Sequence, residues 1–466
     1  MRHSQQEDRA MMGERLVMQE SLFYEFRLED HVPSDHLLRR IDRFVDCSGL
    51  RQHLAGYYNA TGRPSVDPEL MIRMLLIGYC LGIRSERRLC EEVHLNLAYR
   101  WFCRLGLEGK VPDHSTFSKC RHGRFRECDL FRHLFEAVVQ RCLDEGLVSG
   151  EGFAVDASLI QADANKQRSL AGSDWTALDH PQDAPRAVRE YLATLDEAAW
   201  GAATEVEPKF VSPSDPAAQW TGALRGPAFF AYADNYLIDL KAAVIVDVEA
   251  SRAVRQAEVG AARSMLERTA ERFSLKPERL AADSAYGSAE MLHWLVDEQK
   301  IEPHVPVIDK SERQDGTFSR SDFKYDPETD AYVCPEGKTL TTSGRIVNEG
   351  TNRLYLGSTF DCGPCPLKEQ CCPNTPARRI PRSIYEHARE VARSLRDTPA
   401  FERSRQGRKR IEMLFAHLKR ILKMGRLRLR GPCGAQDEFL LAATAQNLRK
   451  LAKLVTSPEP HMIQGA

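Results

Sequence analysis

No apolar run in these 466 residues approaches the roughly 18 that a membrane-spanning helix needs; the longest, around Met71–Leu81, is interrupted by Arg73 and Gly78. The first residues, Met1 to Asp8, are polar and lead into no signal-type apolar core. Together these absences predict a cytoplasmic protein with no membrane partner. Net charge is missing too: 65 basic residues face 66 acidic ones, leaving a formal charge of -1. Internal repeats and low-complexity tracts are absent, and 28% charged with 42% hydrophobic residues argues against a disordered chain. The 13 cysteines are an odd count scattered along a long chain, which argues against a secreted disulfide framework and favours reduced thiols or a metal site. This length predicts two to four domains with a core that needs no covalent staples.

The neutral total hides segregated charge. Between Arg378 and Arg430 stand 17 Lys and Arg against 5 Asp and Glu, whereas Asp179–Glu207 holds 7 acids against 2 bases. A basic block of that size points either to a polyanion on one face or to a solvated charged helix.

Residues 31–145 read as helical. Asp67-Pro68-Glu69 is a helix start, with Asp as cap and Pro in the first turn, and Gly82 marks the end. Ser85 caps a second helix, Tyr99, Arg100, Trp101, Phe102 and Arg104 belong to a third, and Asp113 opens a fourth that leads to Lys119, Arg121, Arg124 and Arg126. Short helices with arginines between aromatics suit a helix-turn-helix reader of DNA, and equally any small helical bundle. From Gly152 the pattern changes to three strand candidates (Phe153–Ile160, Tyr232–Leu240, Ala242–Ala250), with an acidic helical insertion at about 165–210. A helix over Arg255–Phe273, a strand at Leu280–Asp283, a helix from Ser288 to Lys300 and a strand at Pro303–Val307 complete a mixed α/β core. Residues 308–376 carry turns, short strand candidates and five cysteines; Ile384–Leu454 is helical almost throughout.

Three acids stand out. Asp156 lies in an apolar strand between the small Ala154 and Ser158, and Asp283 ends a strand just before a turn into a helix. Acids at strand ends face the crevice where α/β sheets bind ligands, although each alone also suits a cap or turn. Glu412 is helical; at 100° per residue Arg405, Arg408, Glu412 and Lys419 fall within about 60° of one another, beside an apolar stripe of Ile411, Phe415, Leu418 and Leu422.

The series Val155-Asp156-Ala157-Ser158, Ala281-Ala282-Asp283-Ser284-Ala285-Tyr286-Gly287 and Arg408-x3-Glu412-x6-Lys419 resembles the DDE triad of bacterial insertion-sequence transposases. Its last part is similar to the pattern Tyr-x2-Arg-x3-Glu-x6-Lys of one branch, with Arg405 standing where that branch has tyrosine. Pro112–Phe117 and Gly425–Gly431 resemble the flanking parts of the same family, so the likeness runs over about 20–455. It implies a ribonuclease-H-like mixed sheet core, a mainly helical N-terminal domain and an inserted cysteine-rich subdomain. The division expected is an arm over 1–30, a DNA-binding domain over 31–145, a first core part over 150–307, an insertion over 308–376 and C-terminal helices over 384–455.

That resemblance implies a transposase that cuts and joins strands at the ends of its element, or a derived DNA-binding protein that no longer cuts. Asp156, Asp283 and Glu412 would hold two Mg²⁺ ions (Mn²⁺ as substitute), because hard ions take oxygen ligands and displacement at phosphorus needs both oxygens steadied. Arg408, Lys419, Arg405, Arg426 and Arg428 would touch phosphates of double-stranded DNA, both terminal repeats and target, with the protein acting as a homodimer on paired ends. Cys334, Cys362, Cys365 and Cys371, with Cys372 as substitute, are candidate ligands for a structural Zn²⁺; ordinary free thiols are the alternative.

Overall fold

The computed structural model describes residues 26–57, 65–123, 125, 128–175, 183–194, 208–222, 226–309, 313–348 and 350–455. Most of the expected N-terminal arm, Arg124, Arg126 and parts of the acidic insertion lie outside them. No described helix is long and apolar enough to cross a membrane.

The first third is a helical assembly. Helix α1 (Pro68–Leu81) starts where Asp67 accepts the Glu69 N–H and stops at Gly82, whose φ of 71° is the left-handed conformation that glycine tolerates. A side chain at Gly82 would also meet the Ile421 carbonyl, so glycine is required there twice over. Helices Glu86–Leu95 and His114–His122 follow as the caps predict, while the helix expected to include Arg104 runs only over Leu97–Phe102, because Arg104 takes the left-handed conformation at φ 58°. Helix α2 (Leu130–Asp144) buries Leu130, Phe131, Leu134, Phe135, Val138 and Cys142 as one stripe. Two arginines that the sequence offered to DNA turn inward instead. Arg100 donates to the carbonyls of Leu107 and Gly109 at 2.8 and 2.7 Å, and Arg121 binds Glu86 and the Tyr79 hydroxyl at 3.0 and 2.6 Å. Buried guanidinium groups need such partners, and here they knit the bundle together.

A six-stranded mixed sheet comes next: β1 (Gly152–Gln161), β2 (Gln219–Thr221), β3 (Phe229–Asp239), β4 (Ile245–Arg252), β5 (Arg279–Ala281) and β6 (Glu302–His304). Their order is β4-β3-β1-β5-β6, with β2 sharing the outer edge of β3. Strands β1, β3 and β4 are antiparallel neighbours, while β5 and β6 run parallel to β1. Parallel return needs a crossover, supplied first by helix α3 (Arg255–Phe273) and then by helix α4 (Ala289–His293) with the π-turn Trp294–Glu298. Within the acidic insertion the helix is short, Arg186–Ala193, and a two-stranded ribbon pairs Leu170–Ala171 with Phe210–Val211.

Residues 324–383, expected only as short strands and turns, form a separate five-stranded antiparallel sheet. It has its own small core of Phe323, Tyr332, Leu340, Tyr355, Cys371, Cys372 and Ile380. The chain then returns through helices α5 (Glu386–Leu395), α6 (Pro399–Arg420) and α7 (Pro432–Leu454). Helices α6 and α7 cover one face of the main sheet: Tyr236 stacks on Phe415 and donates to Gln446. Helix α3 covers the other, where Arg268 binds Asp247 and Glu249. Apolar almost all round, α7 also packs on α1 and α2 and so joins the two halves of the molecule.

Candidate active site

The strand register explains why two acids far apart in sequence meet. On parallel β1 and β5 the last pair is Ala154 with Ala281, so Asp156 and Asp283 each stand two residues further along. Strand β5 ends before Asp283, which caps the turn Ser284–Tyr286 by accepting the Ala285 N–H at 2.8 Å. The cap reading therefore holds for Asp283. Helix α6 lies along β1 and carries the third acid: Arg408 reaches the Asp156 carboxylate at 3.2 Å, and Glu412 follows one turn later at the exposed surface.

The electrostatics tie the three together. Burial pushes the Asp156 carboxyl above its ordinary value, and the charges of Asp283 and Glu412 push it further; the Ala157 N–H and Arg408 pull the other way. Their oxygens do not all lie within 4.8 Å of one another. Acids that serve two different ions need not share one coordination sphere.

Two neighbours escaped the sequence reading. Glu258, in the first turn of α3, is raised by burial and then by Asp156 and Asp283, so a fourth carboxylate faces the same space. Tyr286 is fully buried, its hydroxyl has no hydrogen-bond partner, and after burial its largest influences are Glu258, Asp156 and Asp283. An acid in a first helical turn reads as ordinary complement to the helix dipole, so Glu258 gave no signal of its own. Tyr286 sat inside the quoted motif without a role. Four carboxylates with a single guanidinium ion-paired among them is the kind of donor set that a divalent cation relieves.

The predicted cations divide. Lys419, Arg426 and Arg428, with Arg84 and Lys423, line a cavity of about 770 Å³ beside Gln161 and Asp163. Its floor forms where the tail returns to the sheet, Leu427 donating to the Gln161 carbonyl at 2.8 Å. Arg426 is held by Asp163 at 2.8 Å. Lys419 faces the fully buried Asp234, and partial burial draws its amine below the ordinary range. Arg408 is engaged with Asp156, and Arg405 stays at the surface, paired with Glu402 at 2.7 Å.

All five cysteines from Cys334 to Cys372 line one small cavity of about 30 Å³. The Lys338 N–H donates to Cys334 Sγ at 3.3 Å, and burial pushes the Cys371 thiol up to about 11. No three of the sulfur atoms lie within 4.8 Å of one another.

Residues 26–123 match the family described as Transposase domain (DUF772), and residues 333–452 match the family described as Transposase DDE domain. The second match takes in the cysteines, Arg408, Glu412 and Lys419, while Asp156 and Asp283 lie between the two. A solved piggyBac transposase in a synaptic complex with hairpin DNA is 9% identical, covering 90% of this chain and 77% of its own, at a TM-score of 0.32. That score is too low to transfer any of its fold or chemistry.

Proposed function

Because this chain belongs to the insertion-sequence DDE transposases, we propose that it cuts DNA at the ends of its element and joins the freed strand to target DNA, using Asp156, Asp283 and Glu412. The observation that carries this reading is the strand register that brings Asp156 and Asp283 level on neighbouring strands, with Arg408 from the Glu412 helix at the Asp156 carboxylate. The strand order supports a ribonuclease-H-like core: three antiparallel strands followed by two parallel ones reached through helical crossovers. In this reading 31–145 is the DNA-binding domain, 150–307 and 384–455 supply the core and its Glu helix, and the cysteine-rich part between them is an insertion.

The donor set fits hard divalent ions, Mg²⁺ or Mn²⁺, since every free ligand is a carboxylate oxygen and the site carries excess negative charge. Bound there, a pair of such ions supplies activation of the attacking oxygen and charge relief at the leaving one. Asp156, which feels both other acids, would be the ligand held in common, with Asp283 and Glu412 as the other two carboxylate ligands. Arg408 neutralises Asp156 in the resting site and stands close enough to hold a phosphate beside the reacting strand. Lys419, Lys423, Arg426 and Arg428 neutralise backbone phosphates in the basic cavity, contacts that set register without reading sequence. Water and then a 3′-hydroxyl act as nucleophiles, so no Ser or Tyr side chain is needed. Pairing two ends in one complex calls for a homodimer. Cys334, Cys362, Cys365 and Cys371 would hold a structural Zn²⁺ bracing the second sheet only if their sulfurs drew closer, since no three of them lie within 4.8 Å of one another.

The test is incubation of the full chain and Mg²⁺ with duplex DNA bearing the element's terminal repeats. Cleavage that Asp156→Ala abolishes while binding persists is the expected result. Binding without any cleavage by the unaltered protein would favour the derived DNA-binding reading, and cleavage by Asp156→Ala would overturn the triad.

A further inference from the structure

A second cluster lies where α4 meets the returning helix α5. Among the described residues, His293, Asp297 and His387 are the one trio of His, Cys, Asp or Glu side chains whose ligand atoms all lie within 4.8 Å of one another. His293 Nδ1 and His387 Nε2 each lie 2.6 Å from the same oxygen, Asp297 Oδ2. From the convergence of two imidazoles and one carboxylate on a single point, we infer that this trio is a site for a borderline divalent transition ion of the Zn²⁺ type.

Four independent features support it. The donor set is chemically apt, since imidazole nitrogen with one carboxylate suits zinc and its neighbours, whereas Mg²⁺ prefers oxygen alone. Bonds of about 2.0–2.1 Å put ligands on a tetrahedral edge of about 3.3 Å, so the atoms need to spread by less than 1 Å from their present contacts. The backbone is adapted as well: Trp294–Glu298 forms a π-turn, a rare widening of the helix that recurs at functional sites, with His293 as its N-cap and Asp297 within it. Finally, the Tyr385 ring stacks on His293 at 4.2 Å and 16°, which fixes the plane of that imidazole. The side chains are 27%, 32% and 52% exposed, leaving an entry path and a fourth position for water.

The connectivity says what the ion would do. His293 and Asp297 precede the second sheet, and His387 lies in the first turn of α5 just after it. One ion would therefore clip together the two ends of a 90-residue excursion, restricting the unfolded chain and fixing α5 against α4. It would be a clasp, separate from the proposed chemistry at Asp156, and it stands or falls independently of that chemistry.

The experiment is a Co²⁺ titration of full-length, untagged protein in excess Mg²⁺, which fills the hard-oxygen sites. Thiolate ligation at the cysteines gives an intense sulfur-to-cobalt band in the near ultraviolet; nitrogen and oxygen ligation gives visible bands without it. The expected result is one equivalent with the second signature, lost or weakened at least tenfold in His387→Ala and competed away by Zn²⁺. Asp297→Asn, which keeps the side-chain shape, should show the same loss and guards against misfolding of the first variant, with circular dichroism as the check. An unchanged nitrogen–oxygen spectrum in both variants, or only the thiolate band in the unaltered protein, would overturn the assignment. A pH-dependent melting temperature that ignores added Zn²⁺ would instead reveal a plain His–Asp–His ion pair and overturn it too.

Discussion

Truncating Phe415 tests whether packing, as well as charge, assembles the acid site. Phe415 follows Glu412 by three residues on α6 and is 8% exposed. Its ring stacks on Tyr236 with centroids 4.8 Å apart at 24°, and Tyr236 is the β3 residue paired with Asp156. The contact is thus a peg between the helix that carries one acid and the strand beside another. Phe415→Ala should cost about 3–5 kcal/mol, of which about 0.5–1.5 kcal/mol is the aromatic pair itself. Phe415→Leu keeps most of the volume and should cost less than about 1.5 kcal/mol. A shift of about 1 Å at Glu412 is enough to slow the reaction on the order of 100-fold. The assay is cleavage of end DNA per folded molecule, with the folded fraction taken from urea titration. Phe131→Ala, more deeply buried at 1% exposure but in the helical N-terminal part, is the control that should lose stability while its folded molecules still cut. If folded Phe415→Ala cuts within about twofold of the unaltered protein, the packing argument is wrong.

Asp283 has two jobs that substitution can separate: Asp283→Asn should keep the cap on Ser284–Tyr286 yet abolish cleavage, whereas Asp283→Ala should also lose about 1 kcal/mol, read by denaturation. Glu258→Gln should leave binding to end DNA intact and raise the Mg²⁺ concentration needed for half-maximal cleavage; an unchanged Mg²⁺ curve would remove Glu258 from the site. Asp215 is buried beside Tyr232 and the Gly431 N–H, and burial pushes its carboxyl from 3.8 to about 7. With the folded value above the unfolded one, the stability this group contributes is complete below pH 3.8 and is lost as pH climbs through about 7. Asp215→Asn should flatten that slope in urea titrations run from about pH 5 to about pH 8, and a slope equal to that of the unaltered protein would refute the assignment.

Local signals in the chain were read well where the physics is local. Asp67, Ser85 and Asp113 each cap the helix expected of them, Gly82 ends α1, and Arg255–Phe273 is helical throughout. Apolar strand runs located β1, β3 and β4 to within a few residues. Errors came where tertiary context decides. The strand expected through Asp283 stops at Ala281 because that carboxylate is spent on a cap, and the helix expected to Lys300 widens into a π-turn after His293. The second sheet was seen only as fragments, since its strands are short and its longest, Thr339–Val347, is largely exposed. Arg100 and Arg121 look basic and available in sequence, and only the packed bundle reveals that carbonyls and Glu86 consume them. For the site, the order of motifs was enough to nominate three acids, whereas Glu258, and the addition of His387 to the i,i+4 pair His293–Asp297, arise from contacts between distant elements that no spacing rule encodes.

Helix α7 has a consequence for how such a protein can be taken apart or recombined. Because its apolar surface is shared between α1, α2 and β4, neither the front nor the rear of the polypeptide owns a complete interior. A fragment severed near residue 148 would bare an oily flank on each product, and a chimera that grafts a foreign front end would have to match that flank side chain for side chain. New specificities are therefore more easily acquired by altering surface loops than by exchanging whole modules.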